Sequence, residues 1–223
     1  MSFTTLSGQA HTALLAQEQW NALGAAKRVN LLKRFAEQTP LASWLLERIS
    51  TQMPEELVLP GPTGEANTLR WEGRGVVALV GDDTAQAQSV LGHLFAALAT
   101  GNTVIAQSSL NSIKPIINEL TSALPAGVIQ QADAQADDFA KVETCAAYAF
   151  SGTKDNESHL NRVLSVRGGA LAQLISETDF DQFSSQCALD YPWRFVTEST
   201  LTVNTTAVGG NATLLELGGR SDH

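Results

Sequence analysis

Val76-Val77-Ala78-Leu79-Val80 is five apolar residues in a row, and its reading decides the fold. A strand with one wet face alternates apolar and polar, whereas a strand covered on both faces in a parallel sheet does not. The segments beyond it alternate in type. Ala85 to Thr100 has helical patterning and ends at Gly101, a residue suited to the position just past a helix. Thr103 to Ala106 reads as a strand, and Ile116, Ile117, Leu120 and Leu124 mark a helix with Pro115 confined to its first turn. Val128-Ile129 is a short strand and Asp133 to Phe139 a helical turn. Cys145 to Phe150, Asn156 to Val166 and Leu171 to Ile175 follow as strand, helix and strand. Strands alternating with helices imply right-handed crossovers and a doubly wound α/β fold with a mostly parallel, Rossmann-like sheet. The strand order is not visible in the sequence.

Upstream, the first part of the chain reads helical. Ala25 to Thr39 sets Val29, Leu32, Phe35 and Ala36 at helical spacing opposite Lys27, Arg28, Lys33, Arg34 and Glu37. Leu41 to Met53 is a second amphipathic helix, and Pro54, Pro60, Gly61, Pro62 and Gly64 form an extended connector. Downstream, Thr200-Leu-Thr-Val-Asn-Thr-Thr-Ala-Val-Gly-Gly-Asn-Ala-Thr-Leu-Leu-Glu-Leu217 reads as a terminal β-hairpin. Leu201 and Val203 point to one side, and Thr200, Thr202 and Asn204 to the other. Thr205 and Thr206 lead into Gly209-Gly210-Asn211, which accommodate the positive φ angles of a reversal. A two-stranded ribbon is barely stable alone. It needs an acceptor, either the domain's own sheet or a partner surface. The chain thus divides into residues 1–66 (helices and connector), 67–183 (the α/β domain) and 184–223 (linker and hairpin).

Composition excludes several function classes. A net charge of −9 repels phosphate backbones and anionic lipid, so nucleic-acid binding is not expected. The apolar runs are too short to span a bilayer, the N-terminus lacks signal-peptide character, and Cys145 and Cys187 supply no disulfide framework, so the expectation is a cytoplasmic protein without membrane insertion. No histidine spacing suggests a metal site: His93 and His159 read as packing or surface residues. Cys145 reads as an inert core thiol, and Cys187 has no activating partner nearby in sequence. A doubly wound sheet invites a dinucleotide, but Gly73-Arg74-Gly75 precedes the strand that the phosphate fingerprint must follow. After that strand come Asp82 and Asp83, which suit capping of the next helix and oppose a pyrophosphate. Glu177 lies where α/β active sites gather, at the carboxyl end of a strand; a solvated loop carboxylate is its plainer reading.

The order of segments resembles a known family. Asn67-Thr-Leu-Arg-Trp-Glu-Gly-Arg-Gly-Val-Val-Ala-Leu-Val80 and Ala96-Ala-Leu-Ala-Thr-Gly-Asn-Thr-Val-Ile105 look like the cofactor-binding half of an aldehyde dehydrogenase. Ala147-Tyr-Ala-Phe-Ser-Gly-Thr153 is similar to that family's turn beside the nicotinamide. Leu174-Ile-Ser-Glu-Thr178 is similar to the segment carrying its general-base glutamate, in the form found among 1-pyrroline-5-carboxylate dehydrogenases. Thr202 to Ala212 resembles the C-terminal motif of the proline utilization A family, bifunctional enzymes that oxidise proline to glutamate. Long members of that family carry an aldehyde-dehydrogenase-like domain after both enzyme domains, and the resemblance to this domain covers nearly the whole chain.

The departures shape what the resemblance implies. Gln107-Ser-Ser-Leu110 replaces the lysine loop that holds the adenosine ribose, and Asp82-Asp-Thr-Ala85 replaces the loop supplying an oxyanion asparagine. Lys154-Asp155-Asn156-Glu157 stands where small residues are expected. Residues 178–199 alone separate Glu177 from the hairpin, leaving no room for a domain bearing a nucleophilic cysteine, so Glu177 reads as a remnant of the general base. The resemblance implies a non-catalytic structural domain without its own cofactor, in a parent enzyme using FAD and NAD. It implies docking on the 1-pyrroline-5-carboxylate dehydrogenase domain of the same polypeptide. There the hairpin residues Leu201, Val203, Asn204, Thr205, Thr206, Gly209, Gly210 and Asn211 would help close a substrate-channelling cavity. The alternatives are a degenerate NAD or nucleotide-binding regulatory module and a dimerisation domain working through the hairpin as a homodimer.

Overall fold

A computed structural model describes residues 3–54 and 56–204. They form two units, residues 3–53 with 72–197 and residues 54 and 56–71 with 198–204. These limits do not coincide with the sequence boundaries at 66 and 183.

The first unit is the doubly wound domain. Its five strands are β3 (Val76–Gly81), β4 (Thr103–Gln107), β5 (Ile129–Ala132), β6 (Cys145–Ser151) and β7 (Gln173–Glu177), numbered after two strands of the second unit at Glu56–Leu59 and Glu65–Gly73. They lie in the order β5-β4-β3-β6-β7 with every neighbouring pair parallel. The expected fold class is the one found. From β3 the chain winds outward through β4 to β5, then returns to the other side of β3 as β6, so the winding reverses between β3 and β6. The central strand is buried from Val76 to Val80, as the unbroken apolar run requires.

One face of the sheet is covered by α1 (Phe3–Asn21), α6 (Ala136–Ala140) and α7 (Lys154–Ser165). Leu6, Ala10 and Ala13 of α1 join Val76, Ala78, Val80, Tyr148 and Phe150 in one core cluster. The sequence did not delimit α1, whose apolar residues are split between buried Leu6 and Trp20 and exposed Leu14 and Leu15. Such a helix carries little amphipathic contrast. On the sheet also lies α4 (Ala87–Ala99), which is in turn covered by α2 (Ala25–Ala36) and α3 (Pro40–Gln52). Every residue of α4 from Ser89 to Ala99 is buried, so the helix is enclosed by other layers. The remaining helix, α5 (Lys114–Ala123), has Pro115 in its first turn as expected and lies against β5.

Arg28 joins the ends of two helices, donating through Nε to the Ala99 carbonyl at 2.9 Å and through Nη1 to the Asn21 carbonyl at 2.5 Å. These carbonyls have no partner within their own helices, and a buried cation that satisfies them acts as a shared C-terminal cap. Beside them Gly101 takes φ +95°, and a Cβ there would collide with Asn21, so both conformation and space demand glycine.

The second unit carries a three-stranded sheet in the order β1-β2-β8. Its strand β1 (Glu56–Leu59) corrects the reading of residues 54–64 as a plain extended connector. Leu57, Val58 and Leu59 pair antiparallel with Leu69, Thr68 and Asn67 of β2 (Glu65–Gly73), and the proline-glycine segment supplies the reversal. The strand β8 (Val196–Asn204) includes the first arm expected of the terminal hairpin and lies beside β2. Thr205, Thr206, Gly209, Gly210 and Asn211 lie outside the described residues. Leu201 and Val203 are 51% and 47% exposed.

Candidate functional site

The carboxyl ends of β3, β4 and β5 open into a cleft of about 730 Å³ in the first unit. It adjoins the point where the winding reverses, the place where doubly wound proteins bind ligands. Leu110, Phe150 and Leu160 contribute apolar wall, and Asp82, Asp83, Asp137, His159 and Asn156 line it with polar groups. Gln107, from the carboxyl end of β4, is only 5% exposed and accepts the Gly81 N–H through Oε1 at 3.2 Å.

Asp82 is the polar group of this cleft with four donors at 2.9 Å or less. The sequence reading made it a cap for the helix directly after β3, and the structure corrects this. That helix, α4, starts at Ala87 with Gln86 in the cap position and no side-chain cap. The intervening residues turn back, with the Ala85 N–H bonded to the Asp82 carbonyl at 3.0 Å. The Asp82 carboxylate instead reaches the N-terminus of α7. Its Oδ2 accepts from the Thr153 N–H at 2.8 Å and from Asn156 Nδ2 at 2.8 Å, while Oδ1 accepts from the Thr84 N–H at 2.9 Å and the Thr84 hydroxyl at 2.6 Å. Burial pushes its pKa up, but the hydrogen bonds from Thr84, Asn156 and Thr153 outweigh it and hold the acid at about 2. Gly152 makes the approach feasible, since a Cβ there would collide with this carboxylate.

Glu177 is a different kind of group from the solvated loop carboxylate expected. It is 1% exposed, and both oxygens are engaged by backbone donors. Oε1 accepts from the N–H groups of Thr178 at 3.0 Å and Asp179 at 2.9 Å, and Oε2 from that of Gln186 at 2.9 Å. The carboxylate thus fastens the loop that follows β7 back onto the strand. Gln186 passes the connection on, donating through Nε2 to the Ser89 carbonyl at 2.8 Å. Nearby, the Tyr191 hydroxyl meets His93 Nδ1 at 2.6 Å, and His93 Nε2 meets the Phe150 carbonyl at 3.1 Å. The carbonyl must accept, so His93 carries its proton on Nε2 and accepts from tyrosine on Nδ1. Burial drives its pKa down to about 3, against a smaller upward effect of the Phe150 bond, and keeps the ring neutral.

The remaining candidates fall apart spatially. Cys145 is buried in β6, and burial pushes its thiol up to about 12, the behaviour of an inert core cysteine. Cys187 is exposed. His159 lies on α7 at the edge of the cleft, its Nε2 3.0 Å from an oxygen of Asp137. Among the described residues no group of three potential ligands could hold a metal ion, and no helix is long and apolar enough to cross a membrane. Sequence reasoning missed Gln186 and Tyr191 entirely. The one available signal was Gly92 inside α4, since a Cβ there would press against the Gln186 amide and Leu41.

The cleft does not fit a dinucleotide. Its lining holds three aspartates and neither lysine nor arginine, and the helix N-terminus to which a phosphate would bind is bonded to Asp82.

No family model matches the chain. It is 30% identical to the bifunctional protein PutA of Salmonella typhimurium strain LT2 over 93% of its own length, and 30% identical to that of Escherichia coli K12 over 85%. It spans only 15% and 14% of those relatives. In structure it resembles proline utilization A from Bdellovibrio bacteriovorus (TM-score 0.69, 17% identity, 80% of this chain and 23% of that one). It also resembles an NAD-dependent benzaldehyde dehydrogenase from Corynebacterium glutamicum (TM-score 0.66, 20% identity, 80% of this chain and 46% of that one). The fold is therefore that of the aldehyde dehydrogenases.

Proposed function

We propose, from the premise that this chain is homologous to a segment of the bifunctional PutA proteins, that it is a non-catalytic structural domain of a proline-catabolic polypeptide. It docks on the 1-pyrroline-5-carboxylate dehydrogenase domain of that polypeptide and helps close the cavity through which the intermediate passes from one active site to the other. FAD and NAD serve the two enzyme domains of the parent, not this chain. The observation that carries the reading is the short path from Glu177 to β8. Residues 178–195 form a tight loop and a 3-10 turn at Tyr191–Phe195 before β8 begins at Val196. A domain with a nucleophilic cysteine has no space in that path. The loop is anchored by the glutamate that would otherwise act as base. Closing a cavity with such a domain makes physical sense, because a small hydrolysable intermediate is retained when bulk solvent is excluded.

The test has two arms. The isolated chain is expected to give no NADH from glutamate semialdehyde above the uncatalysed rate. In the full-length polypeptide, Val203→Asp places a charge on the proposed contact strand; if that face is buried on docking, the cost is several kcal/mol. Coupled conversion of proline to glutamate should then slow, while the proline dehydrogenase step persists. Unchanged coupling removes the cavity-closing role, and NADH production by the isolated chain removes the non-catalytic one.

The exposed apolar side chains Leu57, Val58, Leu201 and Val203 of the three-stranded sheet favour dimerisation as a second reading. Sedimentation of the isolated chain separates them: a monomer at tens of micromolar, about −6 kcal/mol or weaker, argues against it.

A further inference from the structure

We infer that Asp82 is a built-in anion occupying the phosphate-binding end of the cleft, and that its carboxylate is the main barrier between the start of α7 and phosphate-bearing ligands. The cleft itself is not collapsed: about 730 Å³ remains at the carboxyl ends of the strands, where such ligands bind in this fold class. What has changed is the occupant of the α7 N-terminus. A helix start offers unpaired N–H groups and a positive field, and anions collect there. Here the backbone N–H of Thr153, the cap residue of α7, and the side-chain Nδ2 of Asn156 point at Asp82 Oδ2, each at 2.8 Å. Thr84 steadies the other oxygen through both its N–H and its hydroxyl. Gly152 leaves the space that the carboxylate fills.

These contacts are what a ligand phosphate oxygen would make, supplied by an aspartate covalently fixed in place. An internal anion at effectively infinite concentration outcompetes a millimolar one, and its fixed charge repels a second. Asp83 differs in kind. It lines the same cleft but is exposed, where solvent and salt screen its field. Gln107 remains within the cleft, 5% exposed with Oε1 engaged by Gly81, so the strand ends hold the cleft open beside the position Asp82 fills.

The experiment titrates the full chain with ADP and with inorganic phosphate, followed by the amide NMR signals of Thr153 and Asn156. Wild type is expected to show no saturable shift at millimolar ligand. Asp82→Ser removes the charge and vacates the space, and should bind ADP at least about tenfold more tightly, about 1.4 kcal/mol, with shifts centred on Thr153. Asp82→Asn, which keeps the volume and an acceptor, guards against misfolding of the serine variant and should show a smaller gain. Asp83→Asn should stay within about twofold of wild type, its exposed charge being screened. ADP binding at Thr153 in wild type overturns the inference, as does the absence of any gain in both folded Asp82 variants. Equal gains in Asp83→Asn and Asp82→Asn also overturn it, since that would mark diffuse charge repulsion as the barrier.

Discussion

Glu177 and Gln186 are joined across the loop after β7, the Gln186 N–H donating to Glu177 Oε2 at 2.9 Å while its side-chain amide reaches the Ser89 carbonyl of α4. The strand end, the loop and the central helix are thereby tied through one glutamine. A carboxylate buried to this degree is tolerable because three backbone N–H groups face it.

Glu177→Ala leaves those three donors without their acceptor. The expected destabilisation is about 2–4 kcal/mol, read as a lowered urea midpoint at unchanged slope. Glu177→Gln keeps one acceptor oxygen and should cost roughly half as much. If alanine shifts the midpoint by less than about 0.5 kcal/mol, the carboxylate is not what anchors the loop.

His93 makes stability depend on pH. Its folded pKa of about 3 lies below the ordinary 6.5, so the unfolded chain takes up a proton that the native chain refuses. The contribution is complete above pH 6.5 and declines as pH falls toward 3. The slope approaches about 1.4 kcal/mol per pH unit in the middle of that window. Urea unfolding from pH 7 to pH 4 should show this slope in wild type and lose it in His93→Gln, whatever that variant's absolute stability. Parallel curves for the two proteins would contradict the assignment.

Asp82 acts at lower pH with the same sign. Its acid is held at about 2, below the ordinary 3.8, so its stabilisation is present above 3.8 and is lost as pH falls through 2. Because the group is part-exposed, solvent screening reduces the effect to the order of 1 kcal/mol. The difference in stability between wild type and Asp82→Asn should be steady from pH 7 to pH 5 and shrink toward pH 2. A constant difference would mean that charge plays no part in the α7 contact.

Arg28→Lys is a conservative change in charge alone. The guanidinium donates from two nitrogens to carbonyls at the ends of α1 and α4, a geometry an ammonium group cannot reproduce. The expected cost is about 2 kcal/mol, measured as a lowered midpoint in urea. A neutral outcome would mean that solvent or a shifted backbone satisfies those carbonyls.

The parts legible in the sequence were those governed by local patterning. The Val76–Val80 run announced a doubly covered strand, Gly101 marked the end of α4, and Pro115 marked the first turn of α5. The parts that escaped depend on partners distant in sequence. Asp82 looked like the cap of the next helix because capping is ordinarily local, whereas the donors from α7 that its Oδ2 meets lie 71 and 74 residues away. Glu177 looked solvated because nothing nearby in sequence could neutralise it, and backbone N–H groups that fold onto a carboxylate leave no mark on composition. The strand β1 was hidden by the prolines around Leu57, Val58 and Leu59, whose pairing with β2 appears only once the turn has closed.

The enclosure of α4 sets the order in which the larger unit can come apart. Buried without a break from Ser89 to Ala99, this helix has no face of its own to lend to partial opening. Loss of α2 and α3 would bare one side of it, and loss of the sheet the other. Its backbone amides therefore exchange with solvent through the same event that dissolves the whole unit, while α7, with Leu160 its one fully buried residue, can fray ahead of it. The cleft is lined in part by that more yielding helix, so its wall is less firmly held than the layer behind the sheet.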